Sequence, residues 1–353
     1  MDKEIYFRVD SSYEMGIGHA MRCLALANRF LKNGWNCHFI CKQHNGSIQK
    51  IIEQSGHDVN TLKIDTDFVG LNEYECWVGS TQIDDAKYSL DYIGVSGGLV
   101  VVDHYGLDKT WEELIKPKVN YLAVIDDLAN RDHDCDVLID SKYGRIDAAY
   151  DSLIKESTKL LVGAKYCILR DEFCELISEA KEKRKQTKKI KTVLINFGGT
   201  DPKGYSELVV DIMRKNFNNL SLELVVGSNH KSLSKFKEIG LPNINVHVDT
   251  SEMALIILRC DFAIGSYGGS SWERCALGLP SIGLVSADNQ KGIAKSLHDA
   301  GASMLISKDE LLNELNGMLL EDFSWWPTMS QKAFDICDGE GVSRIVSYIE
   351  GLH

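Results

Sequence analysis

The stretch Asp261-Phe262-Ala263-Ile264-Gly265-Ser266-Tyr267-Gly268-Gly269-Ser270-Ser271-Trp272-Glu273-Arg274-Cys275-Ala276-Leu277-Gly278-Leu279-Pro280 decides the fold. It opens as an apolar strand, passes through two glycines, and continues as a short helix from Ser270-Ser271 that stops at Gly278. Strand, glycine turn and helix N-terminus hold phosphate well. Glycines let the backbone come close, free N–H groups point at the anion, and the helix dipole favours negative charge. Glu273 stands one turn into the helix, where a carboxylate accepts hydrogen bonds from a ribose diol. The stretch alone also fits a plain strand-to-helix turn with capping serines.

Working outward, a second glycine loop, Phe197-Gly198-Gly199-Thr200-Asp201, continues the apolar strand at 192–197. Two such loops, one followed by a glutamate, point to a nucleotide with more than one phosphate. Neither has the Gly-x4-Gly-Lys-Ser/Thr pattern of ATP-binding loops. Ser286-Ala287-Asp288-Asn289-Gln290 opens a further helix. Asn289 and Gln290 are candidates to bond a base, phosphate or sugar, and simple N-capping by Asp288 or Asn289 fits equally.

The N-terminal half repeats the theme. Glu4–Asp10 reads as a strand, and Met15-Gly16-Ile17-Gly18-His19-Ala20-Met21-Arg22 as a glycine loop running into a helix that Gly34 ends. Strands follow at 37–41, 99–105, 121–127, 136–140 and 159–163. Strands alternating with helical stretches imply a parallel, doubly wound sheet, with ligands beyond its carboxyl ends. His19, Asp103 to Tyr105 and Asp126-Asp127 all fall at such ends. His19 is the candidate base: the helix dipole keeps a ring there neutral and able to accept a proton. A structural role for a lone histidine stands beside this. The acidic run Asp126-Asp127 and Asp132-His133-Asp134-Cys135-Asp136 lacks regular metal-ligand spacing, and solvated loop carboxylates are its default reading.

The chain has 353 residues, enough for two domains, with 44% hydrophobic and 25% charged content. Formal net charge is −12; the run from Lys181 to Lys191 contributes +6, which leaves −18 for the rest. That balance argues against nucleic acid as the main partner. The start, Met1-Asp2-Lys3-Glu4-Ile5, lacks the pattern of a signal peptide, and no apolar run is long enough to span a bilayer. Ten cysteines without any Cys-x-x-Cys read as reduced core thiols of a cytoplasmic protein. The expected division is a first doubly wound domain at 1–180, a basic linker at 181–190, a second domain at 191–324 and a helical tail at 325–353, the two domains facing a central cleft.

Taken together and in order, the motifs resemble one family. Arg8-Val9-Asp10-Ser11-Ser12, Gly16-Ile17-Gly18-His19-Ala20-Met21-Arg22, Val102-Asp103-His104-Tyr105-Gly106, Val124-Ile125-Asp126-Asp127, Phe197-Gly198-Gly199-Thr200-Asp201, Trp272-Glu273-Arg274 and Ala287-Asp288-Asn289-Gln290 are similar to blocks of the UDP-2,4-diacetamido-2,4,6-trideoxy-β-L-altropyranose hydrolases of pseudaminic acid biosynthesis. The glycine-serine block is shared more loosely with the transferase that makes lipid II. The resemblance implies a GT-B fold of two Rossmann-like domains, UDP held mainly by the second. It implies cleavage of a UDP-sugar at the anomeric C–O bond with inversion, without metal or cofactor. It places His19 as the base that activates water and Tyr105 at the sugar end. Gly269, Ser270 and Ser271 become the diphosphate loop and Glu273 the ribose ligand. Gly18, Arg22, Gly199, Asn289 and Gln290 complete the expected binding set. Tyr267 departs from the family pattern, where a smaller residue is expected, at the uracil end of the pocket. The rival readings are a glycosyltransferase using the same donor and a non-catalytic nucleotide-sugar binding protein.

Overall fold

A computed structural model describes residues 3–65, 67–94, 98–238, 243–320 and 322–352. The start at Met1 and Asp2 lies outside them. The chain divides into two compact units, 1–168 with 340–353, and 169–339.

In the first unit seven parallel strands form one sheet: β1 (Glu4–Val9), β2 (Asn36–Lys42), β3 (Asp58–Leu62), β4 (Leu99–Asp103), β5 (Tyr121–Ile125), β6 (Val137–Asp140) and β7 (Lys159–Val162), in the order β3-β2-β1-β4-β5-β6-β7. The inner strands are largely apolar on both faces because both faces are covered, whereas the edge strand β3 is mostly polar. In β1, Ile5, Phe7 and Val9 join the layer containing helices Gly18–Lys32 and Gly341–Glu350, and Tyr6 joins the opposite layer with Trp111 and Ile115. The order reverses between β1 and β4, where Val9 lies opposite Asp103. Parallel sheets open their ligand crevice at that switch.

The second unit repeats the plan with β8 (Thr192–Asn196), β9 (Ser221–Val226), β10 (Ile244–Val248), β11 (Phe262–Gly265), β12 (Ser281–Gly283) and β13 (Met304–Leu305), ordered β10-β9-β8-β11-β12-β13. Its switch lies between β8 and β11, with Gly265 opposite Asn196. Both glycine loops therefore leave neighbouring strands at one sheet edge.

Two expected boundaries are corrected. The basic segment at 181–190 is no linker: up to Gln186 it belongs to the helix Asp171–Gln186. Buried Arg184 of that helix donates to the carbonyls of Leu277 (3.0 Å), Cys260 (2.6 Å) and Ile257 (2.9 Å), so it bolts the helix to the second unit. The tail at 325–353 is also divided. Trp326 donates to the Asp261 carbonyl at 2.7 Å and packs in the second unit, whereas helix Gly341–Glu350 returns to the first, where Glu350 accepts from Trp35 at 2.9 Å. Among the described residues no helix is long and apolar enough to cross a membrane.

Candidate active site

At the switch point of the first sheet, the helix Gly18–Lys32 begins directly after the β1 loop. It carries His19 on its first turn and Arg22 one turn later, so both reach the end of β4. His19 Nδ1 lies 2.6 Å from Asp103 Oδ1. Arg22 Nη2 donates to the same oxygen at 2.7 Å, Arg22 Nε donates to Asp103 Oδ2, and Arg22 Nη1 donates to Asp127 Oδ2 at 2.8 Å. Tyr105 closes the ring by donating its hydroxyl to Asp127 Oδ1 at 2.7 Å, its ring set edge-on to His19 with centroids 4.5 Å apart.

The electrostatics fix the roles. Burial works against ionised Asp103, but the Arg22 guanidinium and His19 outweigh it and hold the carboxyl well below the usual range. An ionised carboxylate only accepts, so His19 Nδ1 carries the proton of that bond, which leaves Nε2 as the nitrogen turned away from Asp103. Burial and the adjacent Asp127 push the Tyr105 phenol far up, so it stays protonated with that proton committed to Asp127. Asp103 and Asp127 complete the cluster. The sequence placed both at strand ends but gave neither a role, because their meeting with His19 depends on strand order.

Asp10 of the first motif is elsewhere. It pairs with buried Arg8 at 2.8 Å and accepts from the Lys42 amide at 2.6 Å. Arg8 in turn makes two bonds to Asp85, at 2.9 and 2.7 Å. Nor are the carboxylates of the acidic run all loop-surface groups. Asp126 is fully buried, accepts from Ala129 and Tyr150 and forms an ion pair with Arg131, and Asp134 is paired with Lys116 and Lys155. The first set of bonds holds the loop from which Asp127 projects.

At the switch of the second unit, the helix Ser270–Ala276 starts with no side-chain cap, which removes the capping-serine reading. Ser270 and Ser271 hydroxyls instead each accept from buried Arg274, at 3.2 Å. Gly269 borders open space, as does Gly198 (φ +89°). Gly199 meets Gly227 backbone to backbone, its carbonyl accepting the Gly227 amide at 2.9 Å. Asp201 caps the helix Tyr205–Asn216 through the amides of Tyr205 and Ser206. Glu273 lies 3.8 Å from Arg170, and burial raises its pKa. Gln290 Oε1 accepts from Tyr267 N (3.4 Å) and Ser286 N (3.0 Å), tying two loops together, while Asn289 is exposed. Neither Asp288 nor Asn289 caps a helix.

The Tyr267 departure has a plain cause. Its side chain is fully buried and turns inward, donating to the Met304 carbonyl at 2.8 Å. Gly283 makes the room, since a Cβ there would lie 2.5 Å from the ring. The backbone of the glycine turn thus accommodates a large residue without placing it in the turn.

No protein-family model matches the chain. It is 26% identical over 300 residues to the UDP-2,4-diacetamido-2,4,6-trideoxy-β-L-altropyranose hydrolase of Campylobacter jejuni, covering 84% of this chain and 97% of that one. It is 25% identical over 230 residues to the spore coat polysaccharide biosynthesis protein SpsG of Bacillus subtilis, covering 62% of this chain and 65% of that one. Among solved structures, MurG of Acinetobacter baumannii matches with a TM-score of 0.65 at 14% identity, over 99% of each chain. The S. aureus MnaA–UDP co-structure matches at 0.63 and 14% identity, over 99% of this chain and 96% of that one. The two parallel-sheet units are those of a GT-B fold, and in sequence the chain resembles the altropyranose hydrolase to which its motifs point.

Proposed function

We propose that this chain hydrolyses a UDP-linked 2,4-diacetamido-2,4,6-trideoxyhexose, releasing UDP and the free sugar for a nonulosonic acid such as pseudaminic acid. The observation that carries the reading is the 2.6 Å bond from His19 Nδ1 to Asp103, which leaves Nε2 as a base. A histidine so oriented by an ionised carboxylate is the arrangement general-base catalysis requires.

In this proposal a water oxygen attacks the anomeric carbon and its proton passes to His19 Nε2. The bond from that carbon to the β-phosphate oxygen breaks, its electron pair leaves on UDP, and configuration inverts. Asp103, held ionised by Arg22, stabilises the imidazolium that forms. Tyr105 positions the ring of His19 and borders the sugar. The second unit anchors UDP, its diphosphate at Gly269, Ser270 and Ser271 and its ribose at Glu273, with Gly199, Asn289 and Gln290 around it. Backbone amides there meet the charge that grows on the leaving group. The similarity to the Campylobacter hydrolase supports the choice of sugar.

Transfer to an acceptor hydroxyl is the second reading, favoured by a fold shared with solved glycosyltransferases. Incubation with the UDP-sugar and no acceptor separates the two: the hydrolase releases UDP in water, a transferase does not. In ¹⁸O-labelled water the label belongs on the sugar; label on UDP means attack at phosphorus and ends the C–O reading.

A further inference from the structure

Arg274 is 2% exposed and lies on the last turn of the short helix Ser270–Ala276. Helical side chains lean toward the N-terminus, so its guanidinium runs back under the glycine turn. There Nη2 donates to the Ser266 carbonyl at 2.8 Å and to Ser271 Oγ at 3.2 Å, Nη1 donates to Ser270 Oγ at 3.2 Å, and Nε has no hydrogen-bond partner among the described residues. It forms no ion pair with any described residue. The adjacent Glu273 faces Arg170 instead.

That placement is unfavourable for the unit by itself. In the first unit buried Arg8 is paired with Asp10 and Asp85, and partly buried Arg22 with Asp103 and Asp127. Arg184 lacks a carboxylate but has three carbonyls. Arg274 has one carbonyl and sits at the positive end of its own helix dipole. The hydroxyls add to the imbalance. Ser270 and Ser271 spend lone pairs on Arg274, and neither donates its own proton to any described residue. Two O–H groups at one turn have no acceptor among the described residues, and a buried guanidinium without a carboxylate lies beneath them, an arrangement that suits an anion.

We infer that Arg274 is a positioning residue: it turns the Ser270 and Ser271 hydroxyls into donors for a nucleoside diphosphate and supplies the buried charge that steadies the diphosphate as it leaves. Arg274 acts through the serines and need not touch the ligand. This rests on the diphosphate reading of the turn given above.

The test compares UDP and UMP binding by calorimetry, with kcat and KM, across wild type, Arg274→Gln, Arg274→Lys, Ser270→Ala with Ser271→Ala, and the combined Gln-plus-Ala variant. Wild type that does not bind UDP ends the parent reading and leaves nothing for Arg274 to position. Given wild-type binding, Arg274→Gln should lose about tenfold or more in UDP affinity and in kcat, and less in UMP affinity. The combined variant should lose no more than the worse of its two parents, since charge and hydroxyls act as one unit. Arg274→Lys should recover part of the loss. Unchanged UDP affinity in Arg274→Gln, or losses that simply add, overturns the inference. Should the Arg274 variants not fold, the double serine variant decides: UDP affinity equal to wild type overturns the inference, and a loss selective for UDP over UMP supports it.

Discussion

Asp103 accepts the Nδ1–H of His19 at 2.6 Å across 84 residues of sequence, and Arg22 holds both of its oxygens. The carboxylate sets the tautomer and, in the proposed reaction, would balance the charge that the ring gains. Asp103→Asn keeps the shape and removes the charge. Its kcat is expected to fall by about 10²–10⁴ while UDP affinity stays near wild type. Steady-state kinetics beside calorimetric titration of UDP checks this; equal losses in both would place Asp103 in nucleotide binding.

His19→Ala should lower kcat by about 10²–10⁴ and leave UDP affinity intact. Because His19 and Asp103 act as a pair, the double variant should be little worse than His19→Ala alone. Activity that survives in His19→Ala refutes the base assignment.

Tyr267 offers a sharper contrast. A residue at the uracil end would change nucleotide affinity when altered, whereas an inward-turned one changes stability. Tyr267→Phe removes the bonds to Met304 and Ser303, which is expected to cost about 1 kcal/mol in denaturant unfolding. UDP affinity should be unchanged; a clear loss would show that the ring reaches the ligand.

His104 predicts a pH dependence. Its Nδ1 accepts the Gly106 amide at 3.0 Å, and burial, with Arg8 nearby, lowers its pKa to about 3 against the pull of Asp10. The unfolded ring titrates near 6.5. Between those values the unfolded chain binds a proton that the folded one refuses, so stability falls as pH drops from about 6.5 toward about 3. His44 and His57, lowered by burial, act in the same direction. Asp10, Asp85 and Asp103 are depressed carboxylates whose contribution is present above about pH 4 and lost below it. Urea unfolding at steps from pH 7 to 4 should show the decline, and His104→Gln should flatten it by about one proton's worth. An unflattened slope would mean that His104 is protonated when folded.

Much of this was legible because parallel strands announce themselves. The apolar runs that make up most of Leu99–Asp103 and Tyr121–Ile125 and the glycine loops after β1, β8 and β11 lie where the pattern put them. The edge strand Asp58–Leu62 was not readable: Leu62 is its one buried residue, so it carries little apolar signal. The roles of Asp103 and Asp127 needed the β1–β4 neighbourhood, which no local pattern encodes. The return of helix Gly341–Glu350 to the first unit depends on partners such as Arg29 with Ser343, far apart in sequence. Arg274 hid for a different reason: its residue type on a helix reads as a surface charge until its burial is known.

The basic segment gives the last prediction, since its two readings differ in sign. Were 181–190 a solvated linker, altering Arg184 would cost nothing. In the structure its guanidinium is buried under three carbonyls, from the helix Met253–Arg259, its end at Cys260, and Leu277 after the glycine-turn helix. Burial, the larger effect, lowers its pKa to about 10, so it is still charged at neutral pH. Arg184→Gln leaves at least two of those carbonyls without donors, each costing about 1–3 kcal/mol. The second unit should therefore unfold earlier in urea by a margin on the order of 3 kcal/mol. The neighbouring Lys185→Gln, whose partner Glu182 is exposed, should stay within about 0.5 kcal/mol of wild type. Equal behaviour of the two variants would restore the linker and move the boundary between the units to the far side of this helix.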